Sequence, residues 1–303
     1  MAPDPHQLFH DLGGDAASIR QIETLSPQHG HAIWRIVTPP RSFILKWLPE
    51  GSAGVEIASY ALLRRLGVVT LPLYGSTAQA LLLEDLTDSP VWRLAAPADV
   101  ARPEVGQAVA RWYRGFHAAG ARLLGQGERP DFLIGEVEEL TAAGLRAAGH
   151  KLGLAGYPVW ERACSQIELL KQAAARLGFT LNYNDFHWTN LALSRQQTPP
   201  EAIVFDYHLL GVGMRFSDCR NVAGSLAGPA VHAFWQDYGP IDAREEVLDR
   251  PLAALYALLA ASRLHLFPAW AASSREQVHT GALERDLAAA VALASALVLP
   301  ADR

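Results

Sequence analysis

The chain has 303 residues, a formal net charge of -5, half of its residues hydrophobic and 19% charged. That length exceeds one compact core and suits two lobes, and the acidic balance excludes a general attraction to nucleic acid or anionic membranes, both of which need a basic surface. Two cysteines, Cys164 and Cys219, are too few for a disulfide-dense scaffold or a Cys-rich zinc site.

The first residues, Met1-Ala2-Pro3-Asp4-Pro5, carry neither a basic leader nor an apolar run, and no secretory signal is read there. The longest apolar stretches, near Pro251 to Ala261 and Leu287 to Leu299, fall short of the ~20 residues a spanning helix needs. The expectation is a cytoplasmic protein with neither a membrane nor a nucleic-acid partner.

Along the chain, branched residues from Ile19 to Leu25, the alternation Ala32 to Thr38 and the run Ser42 to Leu48 predict three strands in an antiparallel meander. Apolar residues at three- and four-residue spacing predict a helix over Val55 to Leu66, with Gly67 as its C-cap. Short strands at Val68 to Tyr74 and Ala80 to Glu84 complete a small sheet. After Asp85 the pattern turns helical: from Pro103 through His117, from Val159 to Leu177 ending at Gly178, from Ala243 to Ser262, and from Ser273 to Leu299. Two strand-like pieces, Leu191 to Leu193 and Ala202 to Phe205, interrupt these helices and are joined by a polar hairpin connection.

That hairpin carries the chemistry. Asp185 stands in a loop before the first piece, Asn190 at its entrance, and Asp206 at the end of the returning strand, so closure brings Asn190 and Asp206 together. Phosphoryl transfer asks for such a set: a carboxylate to accept the proton of the attacking hydroxyl, and hard oxygen ligands for magnesium. It also needs a lysine on the phosphates. Lys46 on the third strand has that context, and Glu56 on the following helix is placed to pair with it.

The stretch Tyr183 to Leu193 resembles the His-Gly-Asp-x-x-x-x-Asn catalytic loop of aminoglycoside phosphotransferases and choline-kinase-like enzymes. Asp206-Tyr207 is similar to their Ile-Asp-Trp metal motif, Phe43 to Lys46 to their lysine strand, Glu56 to Leu66 to their Glu-containing helix, and Leu82 to Leu86 to the hinge. Gly211 to Asp218 is similar to the segment after the metal motif, and the last ~75 residues match only as helices.

The resemblance implies an α+β, bilobal protein-kinase-like fold: a nucleotide-binding lobe over 1–86, with a small antiparallel sheet and one main helix, and a larger, mostly helical lobe over 87–303. It implies Asp185 as catalytic base, Asn190 and Asp206 as magnesium ligands, Lys46 on the phosphates with Glu56 as partner, and Glu84, Asp85 and Leu86 as the adenine-contacting hinge. Asp218 is implied to be structural. ATP or GTP is the implied phosphate donor, and the acceptor is the hydroxyl of a small molecule such as an aminoglycoside or amino alcohol.

Two departures stand out. Tyr183 and Asn184 replace the family's His and Gly, positions that supply neither base nor metal ligands, and the loop from Ser26 to His31 has one glycine, Gly30. They motivate the alternative of a non-catalytic nucleotide-binding kinase-fold protein. A metal-dependent hydrolase using Asp185, His187, Asp206 and His208 is a third reading, which leaves Lys46 and Glu56 unexplained. Asp237, Asp242, Glu245 and Glu246 are read as solvated carboxylates before a cradle for a cationic acceptor, and Trp112, Phe116, Phe234 and Trp235 as packing before an aromatic cage.

Overall fold

The computed structural model describes residues 3–26, 31–49 and 53–298, so His29 and Gly30 lie outside the described residues. In chain order, α1 (Pro5–Asp11) precedes β1 (Gln21–Ser26), β2 (Ala32–Thr38) and β3 (Arg41–Trp47). Then come α2 (Ala53–Arg65), β4 (Leu73–Ser76), β5 (Ala80–Glu84), β6 (Trp92–Leu94) and α3 (Pro103–Gly125). The middle of the chain holds α4 (Glu136–Glu139), α5 (Ala142–Leu152), α6 (Pro158–Leu177), β7 (Thr180–Asn182), β8 (Leu191–Ser194), β9 (Ala202–Val204) and β10 (Gly211–Gly213). Five helices finish it: α7 (Arg215–Ser225), α8 (Gly228–Tyr238), α9 (Ala243–Arg263), α10 (Ala272–His279) and α11 (Ala282–Val298).

The residues cluster into two compact units. The first comprises Met1–Leu133, Tyr183–Leu210 and Arg220–Gly239; the second comprises Ile134–Asn182, Gly211–Cys219 and Pro240–Arg303.

The first unit is built on a five-stranded antiparallel sheet in the order β1-β2-β3-β5-β4. Side chains alternate along β2, so Trp34 and Ile36 join Leu45, Ala80 and Leu82 on one face, which is covered by Phe9 of α1 and by Leu12, the residue that caps it. The opposite face carries Ile33, Arg35, Ile44 and Lys46. Gly67, at φ +73°, closes the helix before it as a left-handed residue without a side-chain clash. The strand expected from Val68 is shorter and begins at Leu73.

The same unit contains the expected hairpin, β8 with β9, and β6 pairs with the other edge of β8 to give the order β6-β8-β9. Helices α3 and α8 pack closely, and a Cβ at Gly106 would fall 2.0 Å from the Ala230 carbonyl oxygen. Trp112 and Phe116 stack at 5.0 Å, and with Phe234 they are buried, which makes them core and not a cage.

In the second unit α5, α6, α9 and α11 share an apolar core, with β7 and β10 as a short antiparallel pair. The single helix expected over Ser273 to Leu299 is two: the chain turns at Thr280-Gly281, where Gly281 has φ +70°. Among the described residues no helix is long and apolar enough to cross a membrane.

Candidate active site

Lys46 lies on β3 opposite Ile33, on the face away from the Trp34–Leu45 core. Its ammonium is 2.9 Å from Glu56 Oε1, 2.7 Å from Glu56 Oε2 and 2.8 Å from Asp206 Oδ1. Glu56, in the first turn of α2, is 1% exposed, Lys46 12% and Asp206 32%, so two carboxylates hold one largely buried cation. Burial alone would lower the Lys46 ammonium pKa, but the fields of Glu56 and Asp206 reverse that and leave it raised. Burial raises the Glu56 carboxyl, with Lys46 pulling the other way.

The β8–β9 register sets the rest. Leu191 pairs with Val204, and the Phe205 amide donates to the Asn190 carbonyl, so Asn190 and Asp206 flank one end of the hairpin. Asn190 Nδ2 donates to Asp185 Oδ2 at 3.2 Å, which ties the loop carboxylate to the strand entrance. Asp206 has φ +70°, a left-handed conformation that Asp tolerates better than most residues.

Burial raises the Asp185 carboxyl, and the neighbouring Asp206 charge adds to the effect against the pull of His208, His187 and Asn190. Asp206 moves the other way: burial would raise it, but the His208 hydrogen bond and Lys46 hold it well below the ordinary carboxylate range. Two nearby carboxylates are thus pushed apart in acidity, as an acid–base site requires.

The substituted loop residues have a physical role. Asn184 adopts φ +67°, the conformation a glycine would supply, and its Nδ2 donates to the Leu209 carbonyl at 3.0 Å. Tyr183 is fully buried, and its hydroxyl donates to the Phe205 carbonyl beside Asp206. His187 caps the turn before Asn190 through Thr189, a loop-stabilising contact.

The expected hinge residues are engaged within the first unit. Glu84 Oε2 accepts from the Tyr74 hydroxyl at 3.3 Å, and the Leu86 carbonyl accepts from Arg195 at 3.1 Å. Asp85 is 2% exposed and accepts from Arg35 Nε and Ser42 Oγ, each at 2.7 Å, and from the Thr87 amide at 3.0 Å. In the second unit Asp218 is fully buried in the first turn of α7. The four carboxylates weighed as an acceptor cradle are all paired: Asp237 with Arg111, Asp242 with Arg244, Glu245 with Arg215 and Glu246 with Arg250.

His208, which the sequence analysis offered only to the hydrolase reading, has its Nδ1 3.0 Å from Asp206 Oδ1, and that bond raises its pKa. Its position two residues after Asp206 was the only available signal.

The donors suit a hard cation. Asp206 Oδ1 takes Lys46 and His208, leaving Oδ2, and Asn190 donates through Nδ2, leaving its amide oxygen. Among the described residues no three His, Cys, Asp or Glu side chains form a cage of their own. A pair of protein oxygens completed by substrate phosphates and water is how magnesium is ordinarily bound.

A family model described as the phosphotransferase enzyme family matches residues 21–248. Among solved structures, a choline kinase, LicA, from Streptococcus pneumoniae is 13% identical with a TM-score of 0.58, covering 89% of this chain and 94% of its own. A macrolide 2'-phosphotransferase from Brachybacterium faecium is 17% identical with a TM-score of 0.52, covering 98% and 97%. A spectinomycin phosphotransferase solved with ADP and spectinomycin is 11% identical with a TM-score of 0.51, covering 97% and 99%. These likenesses show an α+β, protein-kinase-like fold. No curated protein sequence matches the chain.

Proposed function

The chain belongs to the phosphotransferase enzyme family, and from that premise we propose that it is a cytoplasmic small-molecule kinase, moving the γ-phosphate of ATP or GTP to a hydroxyl. The observation that carries this reading is the Lys46 ammonium held within 2.9 Å of both Glu56 and Asp206. A buried lysine fixed between carboxylates is costly unless its charge is used, and a triphosphate is the substrate that uses it.

Residues 1–86 would hold the nucleotide, with Glu84 to Leu86 along its base, and residues 87–303 would supply the catalytic loop and the acceptor site. Asn190 and Asp206 would hold magnesium, which when bound neutralises charge on the phosphates. Asp185 takes the proton of the acceptor hydroxyl as that oxygen bonds to the γ-phosphorus and the bond to the β-phosphate oxygen breaks. Its raised pKa makes it a stronger proton acceptor than an exposed aspartate. Lys46 stabilises charge on the departing diphosphate.

The test is calorimetry with magnesium and ATP or GTP, then nucleotide consumption across a panel of amino alcohols, sugars and aminoglycosides. Asp185→Asn is expected to keep nucleotide binding and lower turnover at least about a hundredfold. Failure of wild-type protein to bind any purine triphosphate would sink the kinase reading, and binding without turnover for every acceptor would favour the non-catalytic alternative.

A further inference from the structure

The sheet face that presents Lys46 continues away from it in register rows. Lys46 shares a row with Ile33 and Leu81; the next is Glu23, Arg35, Ile44 and Leu83; beyond it lie Val37 and Ser42. Same-face rows are about 7 Å apart. Resting on the proposed role of Lys46 as phosphate anchor, this face is the track along which the rest of a nucleotide would extend.

A pocket of 490 Å³ opens at these outer rows, lined among others by Arg35, Val37, Ser42, Asp85, Thr87 and Asp88. Among the pocket's charged members, which include Arg20, Arg41, Asp85 and Asp88, Arg35 stands in the row it shares with Glu23, Ile44 and Leu83. All three of its guanidinium nitrogens are anchored: Nε to Asp85 Oδ2 at 2.7 Å, Nη1 to Glu23 Oε2 at 2.6 Å and Nη2 to Thr87 Oγ1 at 3.1 Å. Arg35 supplies the countercharge of the buried Asp85, whose remaining hydrogen bonds come from Ser42 and the Thr87 amide, and this pairing holds the guanidinium in place. A guanidinium fixed at three points is a rigid plane, and its side chain keeps 25% exposure at the pocket. Such a plane favours an aromatic ring against it, whichever ring it is, because stacking does not read edge donors.

We infer that Arg35 is the platform on which the purine of the nucleotide stacks, raising nucleotide affinity without selecting adenine over guanine. Arg35→Lys keeps a positive charge beside Asp85 and removes the plane. Binding of ATP, GTP and inorganic tripolyphosphate, each with magnesium, is measured by calorimetry on the full chain, with melting to confirm folding.

Wild type is expected to bind ATP and GTP within about threefold of each other, and Arg35→Lys to weaken both about tenfold while tripolyphosphate is unchanged. Glu23→Ala, which removes one anchor, is expected to weaken both nucleotides about threefold. Wild-type discrimination between the purines above about thirtyfold would overturn the inference, as would an Arg35→Lys protein that loses nucleotide and tripolyphosphate alike or neither. Wild-type binding of tripolyphosphate with no gain from the base removes this inference alone; absence of both removes the kinase reading with it.

Discussion

Asn184 occupies a backbone conformation that costs most side chains about 1 kcal/mol or more, and it recovers part of that through the bond to Leu209. Glycine removes the steric cost and the bond together, whereas alanine keeps the cost and loses the bond. Asn184→Gly is therefore expected to stay within about 0.5 kcal/mol of wild type, and Asn184→Ala to lose about 1–2 kcal/mol in denaturant unfolding. Turnover is expected to fall with Ala only, because the next residue is Asp185. Equal stability of the two variants would show that the left-handed backbone is not what the position selects. Asp185, Asn190 and Asp206 were legible because one hairpin closes around them. The Arg35–Asp85 pair spans fifty positions, and no spacing rule joins its members.

Between β6 and α3 the chain is pinned by one carboxylate. Asp99, 5% exposed, takes both outer nitrogens of Arg93 at 2.6 and 2.9 Å, the Ala96 amide at 2.8 Å and Arg102 at 3.1 Å. The Arg93 hydrogen bonds lower its pKa despite burial. A depressed folded-state value means stability present above the unfolded value of about 3.9 and lost as pH falls through the lower folded value. Asp99→Asn is expected to cost about 3 kcal/mol at pH 7, with the gap to wild type closing below about pH 4. A gap of constant size from pH 7 to pH 3 would mean that shape, not charge, holds the turn. β6 itself escaped the sequence reading because three residues carry too little alternation. The break at Gly281 escaped because the apolar spacing on either side is helical, and only the glycine marks it.

At the scale of the molecule, the periodicity of the chain gave the strands and long helices, but no local pattern tells which distant segments pack together. Residues 183–210 and 220–239 cluster with 1–133 although the chain between them belongs to the other unit. All five residues of the candidate site, Lys46, Glu56, Asp185, Asn190 and Asp206, fall in that first unit. A ligand that binds only the folded state stabilises what it touches, by about 2.7 kcal/mol at a hundred times its dissociation constant. A non-hydrolysable ATP analogue with magnesium is therefore expected to slow hydrogen exchange in β3, α2 and the segment 183–210, and to leave the α6 and α11 core of the second unit unchanged. Equal protection in α6 and α11 would place the nucleotide's grip outside the residues gathered around Lys46, because exchange there reports opening of a core that none of them joins.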